Sequence, residues 1–177
     1  MSAGEFEVAG VLDRPRLFAV LDSPRVRVCI VKGPSGSGKT TLLRSWALKQ
    51  RERLTWVTLG DGGISRQAFW RHVVGSAQRH GDLSTDMAAQ VFEQLDRRAD
   101  PVRIAVELFQ DAGAVTLVID AYEHLGDVTP EIDQDLAQLL TALPGLRVLI
   151  TTRSGTALAD ADPPEERRRS SPSTSWP

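Results

Sequence analysis

The sequence predicts an α/β protein in which helices cover a parallel sheet. Four short apolar runs rich in branched residues indicate buried strands, and segments with helical periodicity separate them along the chain. A parallel pair of strands needs a crossover connection, so this alternation is typical of a parallel sheet with helices between its strands. The predicted strands are residues 27–31, 54–59, 115–120 and 147–152.

Capping residues and apolar spacing predict the helices. Asp13 and Pro15 have the residue types of a helix start, and Ser23 followed by Pro24 ends that first helix. Ser65 is a predicted N-cap of a later helix that carries a run of large apolar residues. The remaining helices are predicted over about 39–51, 65–80, 85–97, 101–111 and 129–143.

Composition favours a soluble globular protein and excludes several classes. The chain has 177 residues, 41% of them hydrophobic and 25% charged, with a net charge of −2. Its apolar runs fall well short of the roughly 20 residues that a membrane-spanning helix needs, and its N-terminus lacks a basic signal-peptide region. The single cysteine, Cys29, fits a reducing compartment. We therefore expect a cytoplasmic protein with no membrane contact and no direct nucleic-acid contact.

Three regions are expected along the chain. Residues 1–25 form an N-terminal segment, and residues 26–156 contain the predicted strands and most of the helices. Residues 157–177 are rich in proline, serine and charge, with almost no apolar periodicity. Because such a composition buries too little apolar surface to offset its ordering entropy, we predict that this tail is disordered.

One glycine-rich loop carries the strongest functional signal. It fits the pattern G-x-x-x-x-G-K-[ST], with a predicted strand before it and a predicted helix after it. Its glycines allow backbone N–H groups to wrap a polyphosphate, and the following helix N-terminus adds partial positive charge. We expect Lys39 to reach the β- and γ-phosphates, Thr40 to ligate Mg²⁺ and Thr41 to lie near the α-phosphate. The predicted phosphate-binding residues are Gly33, Pro34, Ser35, Gly36, Ser37, Gly38, Lys39, Thr40 and Thr41.

Two other strand ends are candidates for the same site, since ligands of parallel sheets collect at the carboxyl ends of the strands. The third strand ends at Asp120, a candidate Mg²⁺ ligand beside Thr40. Arg153 follows the fourth strand and is a candidate partner of the γ-phosphate. The plainer interpretations are a turn aspartate and a strand-end arginine in water.

The candidate catalytic base is less clearly marked. Many P-loop ATPases carry a second carboxylate directly after the strand-end aspartate, but this chain has Ala121 there. Glu123 is then the nearest carboxylate that could orient an attacking water, and a solvated loop residue is the alternative. His124 is interpreted as a loop histidine rather than a proton shuttle.

Taken in order, these motifs resemble the N-terminal nucleotide-binding domain of the large ATP-binding LuxR/MalT-type transcriptional regulators, within the STAND class of signal-transduction ATPases. The resemblance covers about residues 8–156. It rests on RPRL (14–17), GPSGSGKTTLL (33–43), WVTL (56–59), AFWRHVV (68–74), LVIDAYEHL (117–125) and LRVLITTR (146–153).

The resemblance implies a P-loop NTPase three-layer sandwich with strand order 5-1-4-3-2. It also implies a nucleotide-controlled switch that binds ATP or ADP with Mg²⁺, in which ATP favours an open, self-associating form and slow hydrolysis restores the closed ADP form. Ala121 departs from the commoner family pattern, so we expect at most a slow ATPase.

No apolar run after Arg153 could supply the fifth strand, so we expect the sheet to lack it and the first strand to form an open edge. The chain is accordingly expected either to be a fragment without the family's DNA-binding domain or to come from a reading frame that ends abnormally near residue 160. One alternative is a non-catalytic interaction fragment with a relic phosphate loop. Another is an ABC-type ATPase subunit, although residues 100–114 lack an LSGGQ-like signature. A small-molecule kinase is disfavoured because the only arginine cluster, 167–169, lies in the tail.

Overall fold

Parallel strands and α-helices alternate through the described chain as the sequence predicts. The computed structural model describes residues 15–23, 26–50, 53–79, 83–110 and 114–160. Its strands are β1 (Val28–Lys32), β2 (Arg53–Thr58), β3 (Val115–Asp120) and β4 (Leu146–Thr152). Its α-helices are α1 (Pro15–Leu21), α2 (Lys39–Ala47), α3 (Arg66–Arg79), α4 (Thr85–Asp96), α5 (Pro101–Phe109) and α6 (Thr129–Ala142). None of these helices is long and apolar enough to span a membrane.

The four strands form one sheet in the order β1-β4-β3-β2, and every pair is parallel. This confirms the predicted fold class and agrees with the 1-4-3-2 part of the expected strand order. In the part of the chain that the structure describes, β1 is an outer strand. Because the strands run in one direction, the segments that follow β1, β3 and β4 emerge at the same edge of the sheet.

Side chains of the central strands alternate between two hydrophobic cores, one on each face of the sheet. Leu117 and Ile119 of β3 belong to the larger core, which α3, α4, α5 and α6 cover. Val118 lies between them and belongs to the smaller core, which α1 and α2 cover. The sheet therefore lies between two helical layers, which confirms the predicted three-layer sandwich.

Helix α1 is packed onto the sheet as part of the smaller core. Phe18 and Leu21 are buried in that core together with Trp46 of α2. The Trp46 Nε1 group donates a hydrogen bond of 2.7 Å to Asp22 Oδ1, just beyond the end of α1. The Arg147 guanidinium of β4 donates to the Leu21 carbonyl oxygen and so fixes the C-terminus of α1 against the sheet. Residues 1–14 and 24–25 of the predicted N-terminal segment lie outside the described residues.

A buried carboxylate ties α6 to α3. Asp135 of α6 accepts hydrogen bonds of 2.7 Å from Arg66 Nε and 2.6 Å from Arg66 Nη2. It also accepts a bond of 2.8 Å from Trp70 Nε1. The bidentate pair restricts both the distance and the orientation of the two helices. Helix α6 is therefore a fixed support for the loops that surround it.

The prediction of disorder from residue 157 onward is wrong for its first four residues. Ala157–Asp160 form a 3₁₀ helix, and Leu158 is buried in the larger core. The backbone N–H of Ala157 donates 3.0 Å to Asp133 Oδ2 of α6, which anchors this turn. A single buried leucine and one side-chain bond give no periodic pattern, so the sequence offers little sign of this contact. Residues 161–177 lie outside the described residues.

Truncation of Phe18 tests the packing of α1. We expect Phe18→Ala to lower the free energy of unfolding by about 3 kcal/mol, because it removes a buried aromatic ring and leaves a cavity. Urea denaturation followed by tryptophan fluorescence measures the change. Leu17→Ala is the matched control: Leu17 is 42% exposed on the same helix, so we expect a loss below about 0.5 kcal/mol. Equal losses for the two variants would contradict this packing.

Candidate functional site

A cleft of about 510 Å³ lies where the segments after β1, β3 and β4 come together. It brings together residues from the phosphate loop, the end of β3 and the end of β4, as the sequence predicts for a parallel sheet. The lining residues are Ser35, Gly36, Gly38, Lys39, Thr40, Thr41, Asp61, Asp120, Ala121, Glu123, His124, Thr151 and Arg153.

The phosphate loop has the backbone geometry that its glycines allow. Gly36 and Gly38 adopt φ values of 75° and 83°, in the left-handed region that glycine tolerates best. A Cβ at Gly33 would lie 2.8 Å from Ser37 Oγ, so a larger residue there would require the Ser37 hydroxyl to rotate away. The Lys39 ammonium donates to the carbonyl oxygens of Gly33 at 2.7 Å and Pro34 at 2.9 Å. The loop and the start of α2 therefore enclose a concave surface with one cation at its base.

Asp120 joins three elements at the base of the cleft. Its Oδ1 accepts a hydrogen bond of 2.9 Å from Thr40 Oγ1 of α2 and one of 2.5 Å from Thr151 Oγ1 of β4. Asp120 is 4% exposed, so these bonds hold its carboxylate in one orientation. The Thr151 hydroxyl also accepts 2.9 Å from the backbone N–H of Ala121. Sequence reasoning missed Thr151, although a hydroxyl at the end of the strand beside β3 is the signal that could have identified it.

Ala121 reverses the chain directly after β3. It adopts φ 62° and ψ 47°, a left-handed conformation that is uncommon for a residue with a side chain. The 3₁₀ segment Tyr122–Val128 follows, with Tyr122 buried and Glu123 on the cleft wall. Glu123 therefore lines the cleft although two residues, Ala121 and Tyr122, separate it from the strand end at Asp120. Backbone strain of this kind is concentrated at functional sites.

Glu123 and Arg153 form an ion pair across the mouth of the cleft. Arg153 Nε donates a hydrogen bond of 2.6 Å to Glu123 Oε1, and the Arg153 backbone N–H donates one of 3.2 Å to Glu123 Oε2. Burial acts to raise the pKa of Glu123, but hydrogen bonds from its own backbone N–H and from Arg153 outweigh it and hold the pKa below the ordinary value. The Arg153 side chain is 50% exposed, so solvent screens part of this attraction. The arginine is therefore positioned at the cleft by a contact that another anion could replace.

His124 and Asp61 extend this ion pair along the cleft wall. His124 Nδ1 lies 3.2 Å from the Leu59 carbonyl oxygen, which requires a proton on that nitrogen. His124 Nε2 lies 3.3 Å from Arg153 Nη2 and 3.0 Å from Asp61 Oδ1. In the neutral ring Nε2 accepts from Arg153, whereas in the protonated ring it donates to Asp61. The sequence interpretation of His124 as a loop residue did not foresee these contacts, and Asp61 was not singled out, because both depend on the tertiary approach of two loops.

Tyr122 and Asp133 lie behind the cleft wall. The Tyr122 hydroxyl donates 2.6 Å to Asp133 Oδ1, and both residues are buried. Burial and this hydrogen bond together raise the pKa of Tyr122 well above its ordinary value, so the hydroxyl keeps its proton and remains a donor. Sequence reasoning assigned no role to either residue.

Comparison with known protein families agrees with this geometry. A family model of the NACHT domain matches residues 27–166, which is well over half of the 177 residues. The matched range includes the phosphate loop, Asp120, Glu123 and Arg153. The NACHT domain is a nucleotide-binding module of the STAND class of P-loop NTPases, the class that the sequence resemblance also indicated. The chain therefore belongs to the NACHT family.

Proposed function

We propose that this domain is an ATP-dependent switch of a LuxR/MalT-type transcriptional regulator and that it works in the cytoplasm. The observation that carries the proposal is the convergence of the phosphate loop, the Thr40–Asp120 pair and Arg153 on one cleft. Further support comes from the membership of the NACHT family and from the motif order shared with LuxR/MalT-type domains. In the ATP-bound form we expect self-association.

In this proposal the phosphates of ATP or ADP lie against the loop of residues 33–41 and accept hydrogen bonds from backbone N–H groups that follow Pro34, since proline itself has none. The left-handed glycines leave these N–H groups free of side-chain obstruction, and the N-terminus of α2 favours the negative charge. The Lys39 ammonium exchanges the carbonyl oxygens of Gly33 and Pro34 for β- and γ-phosphate oxygens. Thr41 contacts the α-phosphate from the first turn of α2.

The residues at the base of the cleft fit a magnesium ion. Thr40 Oγ1 and Asp120 Oδ1 lie 2.9 Å apart, and both are oxygen atoms that can serve as metal ligands. Mg²⁺ in such sites takes one or two protein ligands besides phosphate oxygens and water. When bound, Mg²⁺ neutralises charge on the β- and γ-phosphates. Thr151 keeps the Asp120 carboxylate aimed at Thr40.

Arg153 is the residue that distinguishes ATP from ADP. Its guanidinium bonds to Glu123 across the cleft mouth, and a γ-phosphate offers it a second anionic partner. Only a ligand with a differential interaction can shift a conformational equilibrium, and ADP lacks the phosphate that Arg153 would contact. Transfer of Arg153 from Glu123 to the γ-phosphate would therefore link nucleotide state to the loop after β4.

The same transfer would free Glu123 to orient a water molecule. Glu123 lies on the cleft wall, and its carboxylate, once released by Arg153, can accept a proton from water. A base that must first lose its arginine partner is available for only part of the time. We therefore propose slow hydrolysis, suited to resetting a switch.

The role of Lys39 can be tested by removing its charge. We expect Lys39→Ala to weaken the binding of both ATP and ADP, by about ten- to hundredfold, because a charge-assisted bond to the β-phosphate that both nucleotides carry is lost. Titration with fluorescent ATP and ADP analogues in the presence of Mg²⁺ measures both affinities. Lys49→Ala removes the same charge outside the cleft, beside Phe18, and should leave binding unchanged. Unaltered affinity in Lys39→Ala would contradict the assignment of this site, whereas a wild-type chain that binds no nucleotide would favour the relic phosphate loop.

Arg153→Ala tests the recognition of the γ-phosphate. We expect ATP binding to weaken about ten- to hundredfold, since one charge-assisted contact is lost, while ADP binding stays nearly constant. Competition titrations with the two nucleotides give the ratio directly. Arg103→Ala removes an exposed arginine of α5 and serves as the control. Equal losses for ATP and ADP would make Arg153 a structural residue, and the γ-phosphate assignment would then be wrong.

Turnover tests the part given to Glu123. We expect the wild-type chain to hydrolyse ATP more slowly than the ~1–100 s⁻¹ typical of kinases. Glu123→Gln should lower that rate by about a further hundredfold with ATP binding retained, because the amide cannot accept the proton. Phosphate release under single-turnover conditions measures both rates, with Glu107→Gln on α5 as the control. Kinase-like turnover in the wild type, or an unchanged rate in Glu123→Gln, would contradict the assignment.

A further inference from the structure

We propose that Asp133 is a positioning residue for the nucleotide switch, because its carboxylate holds together the two loops that carry Glu123 and Arg153. The inference rests on the proposed function of the cleft. Asp133 itself lies on α6, and it acts through the segments bonded to it rather than on the nucleotide.

Three hydrogen bonds converge on this one carboxylate. Asp133 Oδ1 accepts a hydrogen bond of 2.6 Å from the Tyr122 hydroxyl and one of 2.7 Å from Thr156 Oγ1. Asp133 Oδ2 accepts a hydrogen bond of 3.0 Å from the Ala157 backbone N–H. Asp133 is 8% exposed and Tyr122 is 1% exposed, so water competes little for these bonds. A buried carboxylate that accepts three hydrogen bonds fixes the relative positions of the chain segments that carry the donors.

The donors belong to the two sides of the Glu123–Arg153 pair. Tyr122 directly precedes Glu123, and Thr156 follows Arg153 by three residues. The ion pair joins the two loops at the cleft mouth, and Asp133 joins the same two loops on the buried side. Glu123 and Arg153 are thus held at two points, one exchangeable and one buried. When Arg153 leaves Glu123, the Asp133 contacts still hold its loop on the buried side of the cleft wall.

The support behind Asp133 is rigid. Asp135, two residues further along α6, accepts hydrogen bonds from Arg66 and Trp70 of α3. These bonds fix α6 against the larger core. The turn of residues 157–160 is anchored as well, since Leu158 is buried in that core. A movement of Arg153 toward the γ-phosphate is therefore transmitted to residues 154–156 and not absorbed by a displacement of α6.

Single hydroxyl deletions test this role without a large change of shape. Tyr122→Phe and Thr156→Val each remove one donor to Asp133, and Thr156→Ser keeps the donor as a conservative rescue. The measured quantity is the ratio of the dissociation constants for ADP and ATP with Mg²⁺. Because a misplaced Arg153 loses part of its contact with the γ-phosphate, we expect Tyr122→Phe and Thr156→Val to lower this ratio about three- to tenfold with ADP affinity retained.

Two comparisons separate positioning from simple loss of stability. In an Arg153→Ala background, Tyr122→Phe should cause no further change in the ratio, because its effect passes through the arginine. Ser76→Ala removes a buried hydroxyl that forms hydrogen bonds of 3.1 and 2.6 Å with the backbone of Trp56. Ser76 does not line the cleft, so this variant should leave the ratio unchanged. Thr156→Ser should restore the ratio of the wild type.

The outcomes are distinct. Equal loss of ATP and ADP affinity in Tyr122→Phe and Thr156→Val, or an additive effect with Arg153→Ala, would overturn the positioning role while the nucleotide site stands. A wild-type chain that binds neither nucleotide would overturn the proposed function and this inference with it. Three results together support the role of Asp133. The ratio falls in Tyr122→Phe and Thr156→Val, and it keeps its wild-type value in Thr156→Ser. In the Arg153→Ala background, Tyr122→Phe does not change it further.

Discussion

The hydrogen bonds of the Asp120 carboxylate determine how the rest of the site is arranged. Thr40 at the start of α2 and Thr151 near the end of β4 both donate to Oδ1, so the phosphate loop and the two central strands meet at one atom. The meeting is possible only because the strands are parallel and in register, with their carboxyl ends at one edge. The two cores on either face of the sheet hold that register, since a shift of one residue would exchange their side chains. The geometry at the base of the cleft is thus a consequence of the sheet.

Around that fixed centre, the contacts of the cleft mouth are replaceable. Lys39 bonds to carbonyl oxygens of the loop and Arg153 bonds to Glu123, which are groups that phosphate oxygens can displace. Arg153 is half exposed, whereas Asp120 is almost fully buried. A rigid base and an exchangeable rim fit the proposed nucleotide switch, in which one pocket would hold two ligands that differ by one phosphate.

Much of this arrangement can be predicted from the sequence, and the remainder depends on tertiary geometry. Alternating strands and helices predict the parallel sheet, and the glycine pattern before Lys39 predicts the phosphate loop, since each rests on local chemistry. The direction of Glu123 cannot be predicted in that way, because it depends on the left-handed conformation of Ala121, a residue type that rarely adopts it. Thr151 and Leu158 are ordinary residues locally, and their roles arise from a carboxylate and a core contributed by distant segments.

The most direct test of the switch is the position of the Arg153 guanidinium in two crystal structures, one with Mg²⁺ and ADP and one with Mg²⁺ and a non-hydrolysable ATP analogue. We expect Arg153 Nε to remain near the 2.6 Å observed from Glu123 Oε1 with ADP, and to leave Glu123 for the γ-phosphate with the analogue. An intact Arg153–Glu123 pair with the analogue bound in the cleft would contradict the proposed switch. A nucleotide bound away from Lys39 and Asp120 would contradict the site itself.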